Sequence, residues 1–251
     1  MSLAEKFSKR YAGLRKAYGT FTANNETRED GKASGKNITI SKELSDKDLL
    51  KLWEDHLSGQ QSVGIVAIDE DNKCVWGAID VDEYHLDLKD LAIKIAKQKL
   101  PLVICRSKSG GAHIYIFLKE PVAASMLQRK LRQLAAAIGY GQAEIFPKQT
   151  QLLLERGDRG STLNMPYFGG ENSTRYAYGT DGKALTPEDF LDYCDEIELE
   201  AKALESLEAS PLTESVQWLD QSPPCLQHLV VQGFPEGTRN SGLFNLGVFL
   251  R

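Results

Sequence analysis

The sequence predicts an α+β fold in which helices pack against an antiparallel sheet. Three observations point there. Short β-branched runs come in pairs: VGIVAID at 63–69 with CVWGAIDV at 74–81, then PLVICRS at 101–107 with AHIYIFL at 112–118. Amphipathic stretches at roughly 87–99 and 123–138 follow those pairs. With AEIF at 143–146 the central order reads ββ-α-ββ-α-β. Runs of antiparallel strands with interposed helices belong to sandwiches whose helices lie on one face of a sheet.

Taken in order, residues 1–60 read mainly helical. An amphipathic start carries Phe7, Tyr11, Leu14 and Tyr18, and a second helix covers Asp46–Leu57. The stretch NNETREDGKASGKN between them is polar and rich in turn formers, hence a loop. The turn DEDNK between the strands Val63–Ile68 and Cys74–Val81 is a hairpin signal. In the next helix Leu88, Leu91, Ala92, Ile95 and Ala96 share one face. In the helix at 123–138, Leu127, Leu131, Leu134 and Ile138 turn inward while Arg129, Lys130 and Arg132 turn outward. AEIF and TQLLLE read as short strands. An acidic helix over 185–209 opens at Thr186-Pro187-Glu188, a good N-cap with Pro in the first turn. SPP at 222–224 interrupts the chain, and NSGLFNLGVFLR starts another helix in which the sequence stops, as expected of a piece of a longer protein.

Composition narrows the class. With 251 residues, 41% hydrophobic and 26% charged, the chain can bury a sizeable core and reads as globular. No apolar run approaches the ~20 residues a membrane span needs, and the start MSLAEKFSKRYAGLRK lacks the apolar core of a signal peptide. Cys74, Cys105, Cys194 and Cys225 are far apart with no CxxC pair, which disfavours structural zinc and favours four reduced thiols in a cytoplasmic protein. The net charge of −5 hides an asymmetry: residues 181–220 hold twelve Asp or Glu and two Lys, leaving +5 for the rest. A polyanionic partner therefore stays open.

Three constellations carry candidate chemistry. Asp80 and Asp82 stand two apart in the most apolar part of a strand, so both face one side about 7 Å apart. Either they hold Mg²⁺ or Mn²⁺, which take oxygen ligands, or Asp82-Glu83 simply enters a turn. RSKSGGAH at 106–113 lies between apolar strands. Gly110 and Gly111 allow close backbone approach and a concave set of N–H donors. Arg106, Lys108, Ser109 and His113 add charge, a hydroxyl and an imidazole, the parts a triphosphate pocket requires. The alternative is an ordinary glycine hairpin turn. No GxxxxGK[ST] is present, so this is not a P-loop. In AEIFPKQ, Glu144 opens a short strand and Lys148 follows its end. Set beside the Asp80–Asp82 strand, Glu144 would complete a three-carboxylate metal site; otherwise it is a solvated strand start.

The series of an acidic pair, an anion-binding turn with a histidine and a later acid resembles the archaeo-eukaryotic primase superfamily. The likeness is to the primase-polymerase-like proteins of phages, plasmids and conflict systems, whose second motif looks like SGGAH and third like EIFPKQ, over roughly residues 60–170. LNMPYF at 163–168 resembles the end of that catalytic core, and PPCLQHLVVQGFPEGTRNSGLFNLGVFLR resembles the start of a helical primase C-terminal module. The resemblance implies an RRM-like antiparallel sheet catalytic core at 61–180, after an N-terminal mainly helical segment at 1–60. An acidic helical linker at 181–220 and the C-terminal module from 221 to 251 would follow.

It also implies that Asp80, Asp82 and Glu144 hold two divalent ions, Mg²⁺ or Mn²⁺, one activating a 3′-hydroxyl and the other steadying pyrophosphate. Ser109 and His113, helped by Arg106, Lys108, Gly110, Gly111 and Lys148, would contact the phosphates of nucleoside triphosphates. Ser109-x-x-x-His113 is longer than the S-x-H of primase small subunits, so a backbone N–H of Gly110 or Gly111 is an alternative donor. The expected function is a DNA-templated nucleotidyltransferase, primase or DNA polymerase, in replication of a mobile element or phage. Its expected partners are a single-stranded DNA template and a helicase in cis or trans, with no membrane. Arg129, Lys130 and Arg132 are candidate DNA contacts, and Tyr84 a nominee for sensing the sugar. A metal-dependent nuclease and a non-catalytic replication-initiation DNA-binding module are the competing readings.

Overall fold

The chain runs α1 (Leu3–Arg10), β1 (Ala17–Thr27), β2 (Ala33–Ser41), α2 (Asp46–Leu57), β3 (Val63–Val66), β4 (Lys73–Val81), α3 (Leu88–Lys97), β5 (Val103–Arg106) and β6 (Ala112–Ala123) in a computed structural model. It continues through α4 (Ala124–Ala137), β7 (Glu144–Phe146), β8 (Thr162–Asn164), β9 (Ala177–Tyr178), α5 (Pro187–Ile197), α6 (Ala201–Ser206) and α7 (Arg239–Phe249). The structure describes residues 1–27, 33–83, 86–208, 222–223, 226–227, 229 and 239–249. Tyr84 and Cys225 lie outside them. Among the described residues no helix is long and apolar enough to cross a membrane.

The α+β expectation holds, with two antiparallel sheets in place of one. Five strands in the order β7-β4-β6-β5-β9 form the first, and β2-β1-β3-β8 form the second. Period-two alternation gives each strand of the first sheet two different faces. On one, Ile79 and Val81 of β4, Ile114 and Ile116 of β6 and Ile145 of β7 meet the apolar stripes of α3 and α4. On the other, Trp76 and Ala78 of β4, Tyr115 and Phe117 of β6 and Phe146 of β7 share a core with Val63 and Ile65 of β3 and Leu163 of β8. Phe7, Tyr11 and Trp53 bring α1 and α2 into that second, aromatic core.

Local signals account for the starts of α1, α2 and α5. Ser2 with Glu5 and Ser45 with Asp48 form capping boxes, and Thr186 caps α5 with Pro187 in its first turn. Four expectations are corrected. Residues 1–60 are not mainly helical: α1 ends at Arg10, Tyr18 lies on β1, and much of NNETREDGKASGKN belongs to the β1–β2 pair. The strands at 63–66 and 73–81 are not hairpin partners. The Asp69 carboxylate does organise a turn by accepting from the N–H groups of Asp71 and Lys73. Yet β3 pairs with β1 and β8, and β4 with β6 and β7, so the chain changes sheet there. TQLLLE forms no strand; Leu154–Arg156 is a 3₁₀ turn. The acidic helix breaks at 198–200, where Leu199 donates to Phe117 O at 3.0 Å and accepts from Lys119 N–H at 2.9 Å.

Candidate active site

The apolar face of β4 turns acidic where the inter-sheet core ends. Trp76 and Ala78 are fully buried, Asp80 is partly buried and Asp82 is exposed, all on one face. Register fixes what stands beside Asp80: Glu144 of β7 on one flank and His113 of β6 on the other. Glu144, Asp80 and His113 are thus abreast on three neighbouring strands, spaced about 4.8 Å apart. His113 Nε2 lies 3.4 Å from Asp80 Oδ1, and its Nδ1 is 3.2 Å from the Tyr115 hydroxyl.

Electrostatics at this row are unbalanced. Burial pushes the Asp80 carboxyl up to about 6; the charges of Asp82 and Glu144 add to that, and Lys148 opposes it. Burial lowers His113 to about 4, assisted by the charge of Arg175 and opposed by a hydrogen bond to the Asn164 backbone. The imidazole is therefore neutral at neutral pH, and its approach to Asp80 is a polar contact, not an ion pair. The cation next to the acids is Lys148, whose Nζ lies 2.6 Å from Glu144.

Do these residues fit a divalent ion? Among the described residues no three of His, Cys, Asp and Glu are gathered closely enough to hold one as they stand. The donors are nevertheless carboxylate oxygens, the type Mg²⁺ and Mn²⁺ take, and the burial and, after it, the mutual repulsion that raise Asp80 are what such a cation would offset. The donor chemistry fits.

The glycine turn is laid on the end of β4. Gly110 has φ +97°, a left-handed value that favours glycine. A Cβ on Gly111 would stand 2.2 Å from Val81 O, so only glycine permits this approach. Ser107 N–H donates to Gly111 O at 2.9 Å and Gly110 N–H to Ser107 O at 3.2 Å. The Gly110 N–H is thus engaged inside the turn, which counts against it as the alternative phosphate donor. Ser109 Oγ donates to Asp82 Oδ1 at 3.1 Å, and Ser107 Oγ is 3.1 Å from Ser109 Oγ. Ser109 therefore orients an acid of the site.

The cations are more scattered. Arg106 Nη1 donates to Thr174 O at 3.3 Å, and the Lys108 ammonium lies over the Phe21 ring of β1. Arg129, Lys130 and Arg132 are not brought to the acids, because α4 covers the opposite face of the sheet. Lys130 Nζ instead donates to Glu205 O and Leu207 O at the end of α6, at 3.2 and 2.8 Å. Sequence reasoning missed Ser107, Tyr115 and Arg175. A second serine ahead of the glycines could have pointed to the first. Tyr115 reads as an ordinary apolar strand position, and Arg175 carries no local signal.

Fold and site together define an α+β protein with a row of acids at the mouth of an inter-sheet core, beside a glycine turn. A family model described as the archaeo-eukaryotic primase domain of the TOTE conflict system matches residues 4–206. The chain belongs to that family, whose members are typically nucleotidyltransferases. No curated protein matches it.

Proposed function

We propose that the protein is a DNA-templated nucleotidyltransferase, a primase or DNA polymerase that joins nucleoside triphosphates on a single-stranded DNA template. The observation that carries this reading is the row of Glu144, Asp80 and His113 on β7, β4 and β6, with Asp82 one step along the same face. Asp80, Asp82 and Glu144 would hold two Mg²⁺ or Mn²⁺ ions. Bound there, the ions would supply activation of a 3′-hydroxyl and neutralisation of the leaving pyrophosphate. The chain's own residues would do the alignment that phosphoryl transfer chiefly needs. His113, neutral and fixed by Tyr115, presents a ring nitrogen beside Asp80. Ser109 fixes the Asp82 carboxylate, Arg106 offers charge beside the glycine turn, and Lys148 would leave Glu144 for phosphate once a cation takes its place. A helicase in cis or trans and a setting in mobile-element replication or inter-element conflict complete the proposal.

The test supplies unprimed and primed single-stranded DNA with ribo- or deoxyribonucleoside triphosphates and Mg²⁺ or Mn²⁺. Elongated products are expected with the native protein and none with Asp80→Asn or Glu144→Gln, both remaining folded. Degradation of the template without added nucleotide would instead assign a nuclease. DNA binding that is indifferent to both substitutions, with no product, would assign a non-catalytic module.

A further inference from the structure

Arg175 is anomalous for a buried cation. It lies in the loop before β9 with 8% of its surface exposed, and its buried Nη1 has no hydrogen-bond partner among the described residues. Among the described residues no carboxylate pairs with it: the guanidinium lies 5.1 Å from the Phe168 ring, and its charge is felt at His113, His56 and the Tyr115 hydroxyl. A buried charge left unpaired is strongly unfavourable unless an opposite charge arrives.

Register shows where such a charge would come from. Cys105 pairs with Ala177, and Arg106 N–H donates to Tyr176 O at 3.0 Å, so the next step along sets Arg175 beside Ser107. Ser107 faces Gly111 through its 2.9 Å bond, and Gly111 lies against Val81 and Asp82 at the end of β4. Asp82, Gly111, Ser107 and Arg175 thus form a second row, one step outward from Glu144, Asp80 and His113. Its one position without a side chain is Gly111, between the carboxylate and the guanidinium.

We propose that Arg175 is a further substrate-binding residue, which anchors the terminal phosphates of an incoming nucleoside triphosphate on the side of His113 away from the carboxylates. The inference rests on the nucleotidyltransferase reading above. A guanidinium keeps its charge when buried and offers a planar fork that matches two phosphate oxygens at once. With its Nη1 already out of reach of water, it meets the anion with less further desolvation than an exposed cation would. The arrangement separates roles: acids on one flank for cations, Arg175 on the other for phosphate.

The experiment compares the full chain with Arg175→Met and Arg175→Lys. Affinity is measured by calorimetry for a nucleoside triphosphate with Ca²⁺, for inorganic tripolyphosphate and for the free nucleoside, beside melting curves without ligand. Arg175→Met is expected to weaken both triphosphates about 10- to 100-fold, the size of one charged hydrogen-bonding partner, and to leave the nucleoside unchanged. Its ligand-free melting temperature should equal or exceed the native value, because an unpaired buried charge has been replaced by an apolar chain of similar length. Arg175→Lys should fall between, keeping charge but losing the fork. Native-like triphosphate affinity in Arg175→Met overturns the anchor alone. So does a melting temperature lowered in Arg175→Met while Arg175→Lys binds tripolyphosphate as the native chain does, since that assigns a structural role. A native chain that binds no triphosphate overturns the nucleotidyltransferase reading, and the anchor with it.

Discussion

At Asp80 the requirements of folding and of chemistry oppose each other. Its carboxyl is raised from 3.8 to about 6, first by burial and then by Asp82 and Glu144. The folded protein thus holds this proton more tightly than the unfolded chain does. Stability from this group is present below the ordinary carboxylate range and is lost as pH climbs through about 6. At neutral pH the ionised Asp80 destabilises the fold by up to about 3 kcal/mol, at 1.36 kcal/mol per unit. Asp80→Asn should therefore melt higher than the native protein at neutral pH in chelator, and the gain should shrink to nothing below about pH 4. Mn²⁺ should raise the native melting temperature and leave that of Asp80→Asn almost unmoved. Equal melting curves across the pH range would show that Asp80 is not strained by its neighbours.

Among the elements, the Ser107–Gly111 turn links the two halves of the site, since it rests on β4 and ties Ser109 to Asp82. Its two glycines are needed for different reasons, and substitution separates them. Among the described residues a Cβ on Gly110 meets only the Arg106 guanidinium, 3.7 Å away, so Gly110→Ala suffers just the strain of φ +97°, about 1 kcal/mol. Gly111→Ala drives a methyl to 2.2 Å from Val81 O and must lift the turn off β4. We expect it to destabilise by about 1–3 kcal/mol and to weaken triphosphate binding well beyond Gly110→Ala. Chemical denaturation and nucleotide titration of the two variants check the ranking. The turn was legible in the sequence because its signal is local, and so were α2, α3 and α4, whose periodicity lies within single stretches, with side-chain caps at Ser45 and Asp87 for the first two. Pairing was harder to read. VGIVAID reads as the partner of the next strand because they are adjacent, yet β3 joins β1 and β8, contacts set by the aromatic core between the sheets. Glu144 was legible as a strand start, and only register shows that it faces Asp80. Arg175 was invisible because it lies in a loop before an edge strand of two residues, where no periodic pattern marks a buried position.

Over the whole molecule, α2 is held against the second sheet in part by its His56. The ring's Nδ1 accepts from Val63 N–H at 3.0 Å and its Nε2 donates to Pro166 O at 2.7 Å, while its own carbonyl accepts from Gly169 N–H at 2.9 Å. One residue therefore joins α2, the start of β3 and the LNMPYF segment that leaves β8. Only a neutral imidazole can accept and donate in this way. Burial lowers its pKa from 6.5 to about 4. A base whose folded pKa is depressed contributes stability that is complete above its ordinary value and is lost as pH falls toward about 4. His113, lowered to about 4 by burial, adds a loss of the same sign, and Asp80 offsets part of both between 3.8 and about 6. The Asp80→Asn protein should therefore lose stability more steeply on acidification than the native chain. Adding His56→Leu to it should cost about 2–4 kcal/mol at neutral pH, because the Val63 N–H and Pro166 carbonyl lose their partners. It should also flatten the acid loss by roughly half, leaving the share of His113. Denaturation midpoints of the native, single and double variants from neutral to acid pH measure both effects. If His56→Leu left the slope unchanged, the acid sensitivity would lie elsewhere, and the join between α2 and the second sheet would not depend on the protonation of this ring.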